Sequence, residues 1–255
     1  MELLVSVVNE EQAQTAATLG VTWLDLKDPT RGPLGMASRE RQHAVLERLR
    51  AWPTLRRSVA LGEIVDHDSA QPLPQPCLGF QFAKLGTSNL VQANSAVSPA
   101  SDWWPRWRDW YHRLPQDCQG VLVAYADAAA CNGVGVEEAL GLARRYHLPY
   151  VLVDTFDKSA GGLFAILRRE DRLPQIKDWI DRAKQQGTHL ALAGQLSFGE
   201  VQQLAAWQAE IVGVRSAICE QDEFGTPLRA GDLCTDRLQQ LLEAIERLDP
   251  TARLY

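Results

Sequence analysis

The chain has 255 residues, 45% apolar and 23% charged, the proportions of an ordinary soluble globular protein with enough length for one large core. Its net charge of −6 argues against a general affinity for nucleic acid or an anionic membrane, so any anion site must be local. No apolar stretch approaches membrane-spanning length, and five cysteines without a CxxC pair (Cys77, Cys118, Cys131, Cys219 and Cys234) indicate reduced thiols and a cytoplasmic protein.

MELLVSVVNEEQ has acidic flanks and no cleavage-site pattern, so it reads as a first strand, LLVSVV (3–8), leading into a helical pattern over 9–19. WLDLKD (23–28) is the second run; a turn-rich DPTRGPLG (28–35) and a helix over 38–51 follow. SVALGE (58–63) runs into Pro-rich QPLPQPC, where a helix is short or missing. GFQFAKLG (79–86) precedes a helix over 99–114, GVLVAYAD (120–127) one over 135–146, and YVLVDTFD (150–157) one over 172–186. HLALAGQL (189–196) and IVGVRSAI (211–218) complete the strands, with helices over 198–209 and 234–247. Eight strands interleaved with helices in this length predict an α/β protein with a (β/α)8 TIM-barrel fold, a single domain over 1–255. A doubly wound open sheet is the alternative, but VVNEEQAQ lacks the Gly-rich turn that such a sheet carries after its first strand.

Three of these runs end in a lysine: Lys27, Lys84 and Lys158. They belong to the second, fourth and sixth strands, and barrels of this type keep their chemistry at the C-terminal ends of the strands. Side chains alternate faces along a strand, so Asp25 and Lys27 share one face and Leu24 and Leu26 the other. The leucines suit the helix-facing side, which turns Asp25 and Lys27 into the barrel mouth. An ordinary lysine is almost wholly protonated at neutral pH. Two neighbouring ammonium groups and partial desolvation would lower its pKa by roughly three units, about 4 kcal/mol of differential interaction, and a neutral amine attacks carbonyls. Asp25 opposes that shift, so its expected roles are orientation and proton transfer. Asp154 closes VLVD and is expected to act as an acid or base, to neutralise Lys158 or Lys84, or both. The residues alone point to a Schiff-base enzyme acting on an anionic carbonyl compound.

The loops after the seventh and eighth strands are where such barrels commonly bind phosphate. Gly194 would permit close backbone approach there, and Arg215 and Ser216 would add donors, although adjacent residues cannot both point inward. DPTRGPLG is expected to form a shaped loop over the site. Trp103, Trp107 and Trp110 recur at helical spacing and read as packing. The DHD triplet (66–68) has no second histidine at ligand spacing, CNGVGVEE (131–138) is a weak nucleotide motif, and no Ser-His arrangement is visible, so no metal or organic cofactor is expected.

The stretch LLVSVVNEEQAQTAATLGVTWLDLKDPTRGPLG resembles the opening of the (5-formylfuran-3-yl)methyl phosphate synthases, also called 4-(hydroxymethyl)-2-furancarboxaldehyde phosphate synthases, of methanofuran biosynthesis. The likeness continues in SVALGE, FAKLG, VDTFDKS, LAGQL and GVRSAIC, and so covers most of the chain. It implies a lyase that condenses two molecules of glyceraldehyde 3-phosphate, with the Schiff-base lysine at Lys27 and its supporting residues at Asp25, Lys84, Asp154 and Lys158. The chain departs from the family pattern at Asp28, Pro33 and Met36, where Asn, Ser and Ala are expected, and in SAGGLF after Lys158, where further charge is usual. These departures bear on contacts to the second substrate. The implied partner is a small phosphorylated sugar, with no nucleic acid and no membrane; self-association stays open. Another lysine-dependent aldolase on a sugar phosphate, or a non-catalytic barrel that binds a phosphorylated ligand, are the other readings.

Overall fold

In the computed structural model, which describes residues 1–68, 70–90, 100–222, 227–228 and 231–248, all eight predicted strands form, and they close on themselves. The strands are β1 (Glu2–Val7), β2 (Trp23–Leu26), β3 (Arg56–Glu63), β4 (Phe82–Gly86), β5 (Gln119–Tyr125), β6 (Tyr150–Asp154), β7 (His189–Leu192) and β8 (Ile211–Val214). Each pairs in parallel with the next, and β1 pairs with β8. Five strands stop short of the predicted runs by two to four residues at the C-terminal end, where the sequence leaves the barrel and enters its loops.

Helices α1 (Glu10–Thr18), α2 (Arg39–Arg48), α3 (Ala100–His112), α4 (Ala128–Cys131), α5 (Val136–Tyr146), α6 (Leu163–Arg169), α7 (Gln175–Gln186), α8 (Phe198–Ala206) and α9 (Thr235–Leu248) connect the strands. Three of their starts are marked by side-chain caps. Asn9 accepts the N–H of Gln12, Ser38 that of Arg41, and Ser197 and Glu200 form a capping box. After β3 the described residues hold a single 3-10 turn, Ile64–Asp66, where a helix was expected to be short or missing. Helix α6 is an addition that the sequence pattern does not set apart. The expected start of α3 at residue 99 lies outside the described residues. No helix of the described residues is long and apolar enough to cross a membrane.

Alternation along the strands sorts the apolar residues into two bodies. Val5, Val7, Leu24, Leu26, Val59, Leu61, Leu122, Val151, Val153 and Leu192 point outward into the layer between barrel and helices. Leu4, Trp23, Phe82, Val121, Leu152 and Ile211 fill the barrel itself. Trp23 and Phe82 lie 4.6 Å apart between ring centroids, Phe82 and Tyr150 5.0 Å apart, and Arg56 stacks 4.2 Å over Trp23. This aromatic group fills the N-terminal end of the barrel interior. The tryptophans of α3 are packing residues, as their spacing suggests: Trp103, Trp107 and Trp110 are buried, and the Trp110 indole donates to Pro74 O at 2.8 Å. The DHD triplet serves local turns, with Asp66 accepting from Glu63 N–H, His67 donating to Leu61 O and Asp68 accepting from Ala70 N–H.

Candidate active site

All eight residues singled out in the sequence line one cavity at the mouth: Asp25, Lys27, Lys84, Asp154, Lys158, Gly194, Arg215 and Ser216. The space between these groups, about 430 Å³ including the part open to solvent, lies at the barrel mouth. Four cationic side chains and two carboxylates line it, so the wall is positive although the chain is acidic.

The strands place these groups at different heights. Lys27 follows β2 directly and is tied by its N–H to Val7 O. Lys84 is the third residue of β4, inside the barrel and not at its rim. Lys158 stands four residues beyond β6, in the loop. It nevertheless returns to the cavity, because its ammonium donates to Asp154 Oδ1 at 2.6 Å and to Thr155 Oγ1 at 3.0 Å. Asp127, at the end of β5, shapes that loop by accepting the N–H groups of Phe156 (2.8 Å) and Asp157 (2.9 Å).

The ion pairs divide the lysines. Lys84 lies 2.5 Å from Asp25, which also accepts from Ser6 Oγ at 3.4 Å, and Lys158 pairs with Asp154. Lys27 is buried and makes no ion pair among the described residues. Burial pushes its pKa down to about 8; Asp154 and Asp25 draw it up, and Lys84 and Lys158 push it down further. The expected lowering therefore occurs, but its main cause is burial and not the two cations. At neutral pH roughly a tenth of such a lysine is unprotonated, a few hundred times the fraction of an ordinary one. Burial would raise the Asp154 carboxyl, but the charges of Lys158 and Lys27 and the hydrogen bonds from Lys158 and Thr155 outweigh it and hold Asp154 below the usual carboxylate range.

The opposite wall is made by the ends of β7 and β8. Gly194 has φ +110, and its carbonyl accepts the N–H of Leu163 at the start of α6. A Cβ at this position would stand 2.9 Å from Thr155 Cγ2. The Arg215 guanidinium donates to Ser6 O, Gln12 Oε1 (2.7 Å) and Gly231 O. It presents backbone and charge to the cavity, while Ser216 opens a single 3-10 turn, Ser216–Ile218. The DPTRGPLG loop is shaped as expected: Asp28 N–H bonds Gly35 O, Gly62 N–H bonds Leu34 O, and Leu34 enters the barrel interior to line the cavity.

The sequence reading passed over Asp127, Ser6 and Thr155, and a buried hydrogen-bonded pair, Glu63 and Tyr125. Tyr125 shares the parity of Val121 and Val123 and was recoverable by alternation. Glu63 was not, since alternation from Ser58 and Ala60 sends it toward the helices.

A family model described as 4-HFC-P synthase matches residues 3–241. The chain is 27% identical over 225 residues to the (5-formylfuran-3-yl)methyl phosphate synthase of Methanopyrus kandleri, covering 87% of this chain and 90% of that protein. It is 24% identical over 258 residues to the protein of that name from Methanosarcina mazei, covering 96% and 97%. Among solved structures, phosphoribosyl anthranilate isomerase from Thermus thermophilus superposes with a TM-score of 0.61 at 14% identity, covering 97% of this chain and 100% of that one, a likeness of fold alone.

Proposed function

The chain belongs to the 4-HFC-P synthase family, and from that premise we propose that it condenses two molecules of glyceraldehyde 3-phosphate into (5-formylfuran-3-yl)methyl phosphate through a Schiff base on Lys27, for a methanofuran-type cofactor. The observation that carries this reading is Lys27 itself: a buried amine, depressed to about 8, inside a cavity that also presents Asp25, Lys84, Asp154 and Lys158. Two trioses, less one phosphate and two waters, balance the product without a redox step, so no electron carrier is required. Lys27 forms an iminium with one triose, and Asp154 or Asp25 removes the adjacent proton to give the enamine. The enamine attacks the second aldehyde. Ring closure, loss of phosphate and loss of water then make the furan aromatic. Lys84 and Lys158 hold the carboxylates and balance phosphate charge.

Incubation of the protein with glyceraldehyde 3-phosphate should yield furan phosphate and inorganic phosphate in equal amounts, read by mass spectrometry and a phosphate assay. A six-carbon bisphosphate formed without phosphate release would make the protein a different aldolase. Binding without turnover would make it a phospho-ligand receptor.

The phosphate cradle is assigned to the backbone around Gly194 and Ser216, with Arg215 supplying charge from behind. Gly194→Val forces a branched side chain onto a left-handed backbone against Thr155, which is expected to cost about 1–3 kcal/mol of stability. Phosphate affinity should fall as well. Calorimetric titration of inorganic phosphate into the folded variant and the wild type decides this; equal affinities would place the phosphate against Lys84 and the 28–35 loop.

A further inference from the structure

Helix α1 buries Gln12, Ala13, Ala16 and Ala17. Three of these are alanines; Gln12 is the polar exception, with 5% of its surface exposed. A buried amide costs free energy unless its hydrogen bonds are made. Here they all are. Oε1 accepts the Val8 N–H at 3.3 Å and Arg215 Nη1 at 2.7 Å, while Nε2 donates to Gly231 O at 3.3 Å and to Asp232 Oδ1 at 3.2 Å. An amide has two acceptor and two donor positions, so none is left over. Turned over, it would set its NH2 against two donors and its oxygen against two acceptors, which fixes its orientation. The backbone is fixed as well, because Asn9 Oδ1 accepts the Gln12 N–H at 2.9 Å.

The amide joins three segments. Val8 follows β1, Arg215 follows β8, and Gly231 and Asp232 belong to the connection into α9. That connection lies back along the residues after β8: Cys219 bridges Leu233 in antiparallel fashion, the Glu220 N–H bonds Asp232 O, and the Cys234 N–H bonds Ile218 O. Of the residues that Gln12 holds, Arg215 is the one that lines the cavity.

The Arg215 guanidinium donates to Ser6 O at 3.1 Å, to Gln12 Oε1 at 2.7 Å and to Gly231 O at 2.5 Å. Two of these acceptors are main-chain carbonyls, and Gln12 supplies the side chain. Gln12 also donates to the Gly231 carbonyl that Arg215 uses, so it acts on two of the three contacts. As an uncharged acceptor it holds the guanidinium without adding a negative charge beside it, and its NH2 satisfies the Asp232 carboxylate at the same time. No other side chain of this length both accepts from an arginine and donates to an aspartate without carrying a charge.

We propose that Gln12 is a positioning residue that, through Arg215, fixes where a positive charge stands behind the wall made by Gly194 and Ser216, and so sets the affinity of the site for the phosphate group of the substrate. The inference rests on the phosphate assignment made above and needs no part of the covalent chemistry.

Inorganic phosphate is titrated calorimetrically into wild type, Gln12→Met, Gln12→Glu, Arg215→Met and the double variant Gln12→Met with Arg215→Met, each checked for folding by circular dichroism. Gln12→Met keeps the length of the side chain but loses the bond to a charged group, and should weaken phosphate about tenfold. Gln12→Glu can still accept from Arg215, but it brings a negative charge against that cation and against Asp232, so phosphate should weaken here too. This variant carries the test if the methionine variant does not fold. The double variant should bind phosphate no more weakly than Arg215→Met alone, because Gln12 acts through Arg215. With glyceraldehyde 3-phosphate, Gln12→Met should raise KM about tenfold while kcat changes far less, and borohydride trapping should still climb through about pH 8. A loosened fold would instead lower kcat and trapping together. Wild-type phosphate affinity in folded Gln12→Met or Gln12→Glu overturns the proposal. So does a double variant about tenfold weaker than Arg215→Met, which would give Gln12 a role apart from Arg215. Wild-type affinity in Arg215→Met overturns it by another route, since the phosphate assignment itself then fails. Tenfold weaker phosphate in Gln12→Met, in a protein whose wild type forms neither adduct nor furan phosphate, upholds the role of Gln12 while the Schiff-base reading falls.

Discussion

Lys27→Arg is expected to leave a folded protein that forms no borohydride-stable adduct and turns over about 10⁴–10⁶-fold more slowly, the scale of losing a covalent nucleophile. Arginine keeps a positive charge beside Asp25 and Asp154, so the electrostatic balance of the mouth survives. Its guanidinium does not lose a proton in the accessible pH range, so no neutral nitrogen is available to attack a carbonyl. In wild type the sign is fixed by the lowered pKa. The neutral amine fraction grows as pH rises through about 8 and then levels, so the rate of trapping should climb through that value and reach a plateau. Peptide mapping after borohydride reduction locates the adduct, and stopped trapping at a series of pH values gives the profile. An active Lys27→Arg protein, or an adduct on another lysine, would end the assignment of Lys27 as nucleophile.

The parts of this site that were legible in the sequence are those governed by strand alternation. Asp25 and Lys27 fall on the inner face because Leu24 and Leu26 need the outer one, and the register confirms the placement through Ser6 and Ser58, the strand neighbours of Asp25. The barrel was legible for the same reason, since each strand carries its own apolar period, and α1, α2 and α8 carry caps at their starts. What escaped depends on contacts distant in sequence. Lys158 reaches the cavity from a loop that Asp127, distant in sequence, holds by accepting the N–H groups of Phe156 and Asp157. The Arg215 guanidinium is drawn to Gln12 and Gly231, partners that no local pattern joins to it. Glu63 was hidden by a one-residue bulge that inverts the parity of everything after it. The pairing of Asp25 with Lys84 also ran against neighbourhood in sequence, and with Asp154 paired to Lys158, Lys27 has no ion pair among the described residues.

Asp154→Asn is expected to move two observables in opposite directions. The carboxylate raises the Lys27 pKa more than any other charge near it, so its removal should lower that pKa below about 8. Lys158 loses its 2.6 Å partner at the same time, and its unbalanced ammonium pushes Lys27 further the same way. The ascending limb of the trapping profile should therefore shift to lower pH, and trapping at neutral pH should hold or increase. Turnover should nevertheless fall about 10²–10⁴-fold, because the amide cannot take the proton that converts iminium into enamine. Breaking the buried pair also costs stability, on the order of 3–5 kcal/mol before relaxation, so the measurement is made where circular dichroism shows the variant folded. The split between faster adduct formation and slower phosphate release is what separates a proton-moving role from a structural one. A limb that stays in place would show that the Asp154 charge is not felt at Lys27, and unchanged turnover would pass the proton-removing step to Asp25, the remaining carboxylate on that wall.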